Sequence, residues 1–198
     1  MTSTYKQENN NMKYWILLIF FIISCARKES MPIRFLNEEI KMSIDSGRVA
    51  VTGTYYFKNI TNQNKTAKIF YPFPIDDFHY YPDFILVSGF DYTENDSGIS
   101  FIMKFKPMAM ESLAIFYEQR LNNNQARYIL KTTQQWQNPL QEARFIINLP
   151  ENFTAIHLSY PSDSTINKDN RIYYYINKKN FMPKEDLIVT WQYEPVPY

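Results

Sequence analysis

The sequence predicts an all-β protein, an antiparallel β-sandwich of about eleven short strands, preceded by an N-terminal signal helix. Three observations carry that reading. From Glu38 onward apolar and polar residues alternate with period two in segment after segment, the pattern of strands with one buried face. Turn-forming residues separate these segments at near-regular intervals, and few stretches show helical spacing. Aromatic residues make up 17% of the chain, and Tyr and Phe suit a pleated, half-buried surface.

The first strand sets Ile40, Met42 and Ile44 against Lys41, Ser43 and Asp45. Asp45-Ser46-Gly47-Arg48 supplies a turn, and Val49–Lys58 returns as a hairpin partner with Val49, Val51, Tyr55 and Phe57 inward. Gly53 interrupts that inward face and marks either a bulge or a close approach. Asn59–Thr66 is a polar loop, and Ala67–Phe73 is a strand closed by Pro72 and Pro74. Asp76–Asp83 is an aromatic, acidic loop. Phe84–Val87 and Ile99–Phe105 are strands flanking the turn-rich Asp91–Gly98.

Pro107–Leu121 admits two readings. Met110, Leu113, Ala114, Tyr117 and Leu121 share a helical face after a Pro start, whereas Leu113, Ile115 and Tyr117 alternate. The alternation favours a strand over Ser112–Arg120. Asn122-Asn123-Asn124 then forms a tight turn, because Asn tolerates the left-handed region, and Arg127–Thr132 runs back as its hairpin partner. Gln134–Pro139 is a loop containing Trp136. Ala143–Leu149, Ala155–Tyr160, Arg171–Ile176 and Leu187–Tyr193 complete the strands.

Ahead of this pattern, Lys13–Lys28 reads KYWILLIFFIISCARK. Its apolar run from Tyr14 to Ile23 is shorter than the roughly 20 residues that span a bilayer core and fits the apolar region of a secretory signal peptide. Residues 1–11 are polar and add nothing to such a signal, so Met12-Lys13 makes the more suitable start. The ending Ile22-Ile23-Ser24-Cys25 resembles the lipobox of bacterial lipoproteins. The resemblance implies cleavage between Ser24 and Cys25 and lipidation of the Cys25 sulfur, which as thiolate is a strong nucleophile. Residues 1–24 are then signal peptide, 25–34 a lipidated tether and 35–198 the β-sandwich, as one sandwich or two fused β lobes.

Charge and cysteine use narrow the functional classes. Removing residues 1–24 takes away Lys6, Lys13 and Glu8 and leaves no net charge, which argues against a nucleic-acid partner. With Cys25 acylated, no thiol remains for a disulfide or a thiolate metal site. The expected location is the cell envelope, as a membrane-anchored lipoprotein of the outer membrane or the outer face of the plasma membrane.

Val51–Pro74 and Pro107–Leu121 together resemble the vault/inter-alpha-trypsin-inhibitor β domain: a strand ending in an aromatic and Asn, a later strand ending in Tyr71-Pro72-Phe73-Pro74, and a Pro-x-x-x-Glu start at Pro107. Uncharacterised exported bacterial β-sandwich families show similar patterns, including a downstream Trp and Pro like Trp136 and Pro139. The resemblance implies a sandwich used for contact rather than chemistry.

The search for chemistry finds little. His79 and His157 are far apart in sequence, without the clustered spacing of a zinc site. No nucleophile elbow, phosphate-cradling Gly loop or His-Glu-x-x-His helix occurs. The expectation is no cofactor, no metal and no enzymatic activity. His157 reads as an outward strand residue and Asp91–Gly98 as a turn. The loop aromatics stand outside the periodic pattern, so Phe78, His79, Tyr80, Tyr81 and Trp136 are candidates for surface recognition; the alternative is a loop folded over the end of the sandwich. Two functions follow: binding of a protein or envelope component, or carbohydrate binding or degradation. The second requires these aromatics to converge with Asp76 or Asp77 in one concave patch.

Overall fold

The computed structural model describes residues 31–193; the expected signal helix, the cleavage between Ser24 and Cys25 and the lipidation of Cys25 lie outside the described residues. The strands are β1 (Ile33–Asp45), β2 (Arg48–Asn59), β3 (Lys65–Pro72), β4 (Phe84–Val87), β5 (Tyr92–Asn95), β6 (Gly98–Phe105) and β7 (Met110–Arg120), followed by β8 (Gln125–Tyr128). A 3₁₀ helix (Lys131–Trp136) leads to β9 (Leu140–Pro150), β10 (Phe153–Leu158), β11 (Ser164–Lys168), β12 (Arg171–Phe181) and β13 (Leu187–Tyr193). The chain is the expected all-β sandwich.

One layer is a seven-stranded sheet in the order β11-β12-β9-β1-β2-β7-β4. The other consists of two separate three-stranded sheets, β10-β13-β8 and β3-β6-β5. Both cover the inner face of the large sheet: Phe57 of β2 meets Phe105 of β6, and the Tyr55 hydroxyl of β2 meets those of Tyr71 on β3 and Tyr128 on β8. Pairing is antiparallel except between β1 and β9, which run parallel. A single hydrophobic cluster runs from Ile33 to Trp191, so among the described residues there is one sandwich core and not two lobes. The strand pairings among the described residues and this core lie within 33–193, and the chain from Met31 onward forms one compact unit that carries its own fold.

Alternation predicts most strands well. Ile40, Met42 and Ile44 on β1, Val49, Val51, Tyr55 and Phe57 on β2, and Leu113, Ile115 and Tyr117 on β7 are all buried. Pro107–Leu121 contains the strand β7 rather than a helix. Several expectations are corrected. The tether assigned to 25–34 overlaps β1, because Ile33 and Arg34 pair with Asn59 and Lys58 and Ile33 is buried. The polar segment that suggested a tether ends at Pro32, which suits a strand entry. Strand β5 arises inside Asp91–Gly98, expected as a turn, and β11 in a stretch to which no strand was assigned. Strand β11 is exposed throughout and β5 nearly so, so neither carries apolar alternation.

The hairpin expected across Asn122–Asn124 does not form. The Leu121 amide donates to the Gly47 carbonyl on the β1–β2 turn, while the Asn124 carbonyl accepts from the Trp191 amide. The chain thus crosses from the large sheet to β13, and β8 pairs there. Past Tyr128 the expected strand gives way to the 3₁₀ helix. The Asp186 side chain accepts from the amides of Leu130 and Lys131 and fixes that turn at its start.

Candidate functional site

A one-residue irregularity in β1 creates the unusual feature of this core. Ile33 and Phe35 face inward, the register with β2 then shifts between Phe35 and Asn37, and Glu38, Ile40, Met42 and Ile44 take the inward positions. A bulge re-aims the side chains that follow it, and here it turns a carboxyl into the core. Glu38 is 2% exposed. Its paired neighbours are Tyr55 on β2 and Ala143 on β9.

A file of hydroxyls leads to that carboxyl. Tyr128 Oη donates to Glu38 Oε2 at 3.4 Å, Tyr55 Oη stands 3.0 Å from Tyr128 Oη, and Tyr71 Oη stands 2.8 Å from Tyr55 Oη. With Tyr128 donating to Glu38, the chain runs with each hydroxyl donating toward the carboxyl. Among the described residues Glu38 Oε1 is buried without a hydrogen-bond partner. Burial pushes the Glu38 carboxyl up to about 8, outweighing the lowering by the Tyr128 hydrogen bond. Glu38 is therefore largely protonated at pH 7. Burial also raises Tyr55, Tyr71 and Tyr128 above the ordinary phenol range, so they remain O–H donors.

These four side chains line a cavity of about 450 Å³, inside the roughly 300–1,000 Å³ range of small-ligand sites. Its position follows from the topology. β3 and β8 are end strands of two different small sheets, so the second layer is open between them. The floor is Ile33, Phe35, Glu38, Tyr55, Phe57 and Leu113; one wall is β3 and the other is Tyr128 with the 3₁₀ helix and Trp136. Trp136 packs on Phe57 at 5.3 Å and Phe35 at 5.9 Å between ring centroids, and Gln134 holds its helix through the Pro183 carbonyl.

Tyr55 reaches the middle of the file by lying over Gly53. A Cβ at position 53 would meet the Tyr55 hydroxyl and ring, so the glycine is a close approach, made by a side chain, in a strand whose register is unbroken there.

The sequence-stated candidates separate. Trp136 lines the cleft and touches Phe57 near one end of β2, whereas His79 bridges to Leu121, which bonds to the turn at the other end. His79 is not a surface residue: it is 1% exposed, hydrogen-bonded through Nδ1 to Asp76 Oδ1 at 2.7 Å. Desolvation lowers its pKa, against the raising influence of Asp76. Asp76 also pairs with Arg127 at 2.7 Å. Tyr81 is half-buried against Phe73. Phe78 and Tyr80 are exposed, the latter with Arg120 5.1 Å over its ring.

Gln119, buried on β7, donates to the carbonyls of Pro74 (2.6 Å) and Tyr80, and Asn122 donates to Asp77 O at 3.1 Å. This loop is folded over the end of the sandwich, and Phe78, Tyr80 and Tyr81 do not converge with Trp136 into a concave patch. His157 is exposed on β10, as expected. Among the described residues no group of three or more His, Cys, Asp or Glu stands placed to hold a metal ion.

The cleft itself was missed. Its signal was present in parity: Glu38 is in phase with Ile40, Met42 and Ile44, as Gln119 is with Ile115 and Tyr117 and Asn59 with Val49 to Phe57.

No family model matches the chain, and no curated protein matches it by sequence. Solved structures match by fold. A Legionella pneumophila protein described as a "putative nutrient binding protein" superposes with a TM-score of 0.61 at 17% identity, over 82% of this chain and 67% of that one. An M1 zinc metallopeptidase from Deinococcus radiodurans superposes with a TM-score of 0.51 at 6% identity, over 80% of this chain and 42% of that enzyme. At such identities the likeness establishes the all-β sandwich fold.

Proposed function

We propose that this protein is a lipid-anchored, exported binding protein whose ligand site is the cleft between β3 and β8. The observation that carries the reading is Glu38: a carboxyl held in the core beside a cavity, with one oxygen unpartnered and three tyrosines in file behind it. Buried polar groups are ordinarily satisfied, and leaving one open costs about 1–3 kcal/mol. A ligand group inside the cleft would satisfy it. The neighbour described as binding a nutrient is compatible with such a role.

The anchor rests on the lipobox resemblance at Ile22–Cys25. With β1 starting at Ile33, residues 26–32 form the connection, reaching at most about 25 Å. The sandwich would be held close to its membrane, where it meets envelope components.

The test uses the chain from Met31 onward with a neutral environment-sensitive dye such as Nile red. Saturable enhancement of dye fluorescence, lost in Trp136→Ala and in Leu113→Trp, supports the cleft as a site. Enhancement that both variants retain places the dye elsewhere and overturns the reading. For the anchor, Cys25→Ser in the full chain abolishes fatty-acid labelling; persistent labelling would refute lipidation at that residue.

A further inference from the structure

We propose that the cleft selects a primary ammonium group carried on an apolar body, with its N–H donors directed to the free Glu38 oxygen and the tyrosine hydroxyls. This rests on the reading of the cleft as a ligand site and names the chemistry of its ligand. Four observations distinguish an ammonium from other ligands.

Glu38 has a hydroxyl as its hydrogen-bond partner and no cationic side chain, and Oε1 has none. Once Glu38 is ionised, the interior is thus one donor short at this carboxylate. Around it, Phe35, Tyr55, Tyr71, Tyr128 and Trp136 line the cleft, and the faces of such rings attract a cation, the more so when water is excluded. The hydroxyl oxygens each keep a lone pair for an N–H donor. An anionic ligand, by contrast, would need charged donors inside. The two lysines of the lining both lie on β3, Lys65 with Nζ 3.3 Å from Gln63 Oε1 and Lys68 exposed. Among the described residues the only acidic member of the lining is Glu38 itself.

The chemistry has a proton balance that makes it measurable. Free Glu38 is largely protonated below pH 8. An ammonium entering the cleft converts it to a carboxylate, the O–H proton leaving to solvent, so the pair is salt-bridged and charge-assisted. Other ionisable groups facing Glu38 are Tyr55 of β2, Tyr71 of β3 and Tyr128 of β8, all held above the ordinary phenol range; the charged side chains of the wall are Lys65 and Lys68 on β3. β1 and β9 place no further ionisable side chain among the cleft lining.

The experiment titrates the chain from Met31 onward with 2-phenylethylammonium and with its neutral counterpart 2-phenylethanol, by calorimetry between pH 6 and pH 9. The ammonium should bind about tenfold more tightly than the alcohol at pH 8. Its affinity should rise about tenfold per pH unit up to about 8 and then level off, with proton release that tracks buffer ionisation enthalpy. Glu38→Gln should remove both the preference and the pH dependence while the alcohol still binds. Tyr128→Phe, which deletes the hydrogen bond to Glu38 without adding volume, should shift the plateau to higher pH.

Equal, pH-independent binding of both probes overturns the ammonium assignment and leaves the cleft as a ligand site. Binding of neither, together with dye enhancement retained in the cleft variants, overturns both. Preference for the ammonium that survives Glu38→Gln overturns the role of that carboxyl.

Discussion

Glu38 makes the stability of this sandwich fall as the pH rises, and the size of the fall can be worked from its surroundings. In the unfolded chain the carboxyl titrates near 4.5, and in the core burial raises it to about 8. The folded state therefore holds the proton more tightly than the unfolded state. The stability that this contributes is complete below about 4.5 and is lost progressively up to about 8. The interval of about 3.5 units at 1.36 kcal/mol each amounts to roughly 5 kcal/mol above pH 8, of which about 3 kcal/mol is already lost at pH 7. For a domain with a typical stability of about 5–15 kcal/mol this is a large fraction.

Glu38→Gln is the matching perturbation, because the amide resembles the protonated carboxyl and cannot ionise. Urea unfolding of the chain from Met31 onward should give similar stabilities for both proteins near pH 4.5. The variant should then gain steadily, until it exceeds the parent by about 3 kcal/mol at pH 7. His79 acts in the opposite sense. Its folded pKa is depressed by desolvation, so its contribution is present above about 6.5 and is lost as the pH falls below that. Being common to both proteins, it cancels in the difference. Parallel curves for the two proteins from pH 4.5 to pH 8 would refute the buried, protonated carboxyl.

Three further outcomes follow from the geometry. Asp76→Asn takes the charge from the group that holds both His79 and Arg127; it should cost about 1–3 kcal/mol and speed amide exchange at Tyr80 and Asp83, whose N–H groups tie the loop to β7. Gly53→Ala should cost about 1–3 kcal/mol as an overpacked core and weaken dye binding in the cleft, because the new Cβ meets Tyr55 and displaces its hydroxyl from the file. Asp186→Ala removes the acceptor for the Leu130 and Lys131 amides. It should cost about 0.5–2 kcal/mol, as loss of a turn-initiating acceptor does, and broaden the Trp136 indole resonance more than that of Trp191.

Local alternation made most of the fold legible, because a strand with one buried face writes its burial into every second residue. It failed where burial and periodicity part company. Strand β11 has no buried residue and is held by backbone pairing to β12, so Ser164–Lys168 carries no apolar signal. The crossing after Asn124 was unreadable for another reason: a tight Asn turn looks the same whether the next strand pairs back or passes to another sheet, and only long-range bonds at Gly47 and Trp191 decide it. The loop aromatics carry no parity, so alternation could not decide between an exposed patch and a loop folded over the sandwich: Phe78 and Tyr80 are exposed, whereas His79 is drawn inward by Asp76 and by its bridge to Leu121. For Glu38, Asn59 and Gln119, parity held and residue type obscured it.

Two of those inward polar residues hold loops through their side-chain amides, although Gln119 Oε1, like Glu38 Oε1, is buried without a partner among the described residues. Asn59 accepts from the Thr61 amide and hydroxyl and donates to the carbonyls of Gln63 and Lys106; Gln119 donates to two loop carbonyls. Each sits where a loop must be pinned, and its polarity is used by the fold. Glu38 pins no loop. It is delivered by a bulge, faced by a tyrosine that needs a glycine beneath it, and walled by a helix whose start an aspartate fixes. Three local departures from regular strand structure thus meet at one carboxyl whose burial lowers stability at neutral pH. Folding alone would favour Gln or Leu at position 38, so a carboxyl there is best explained by what it meets in the cleft.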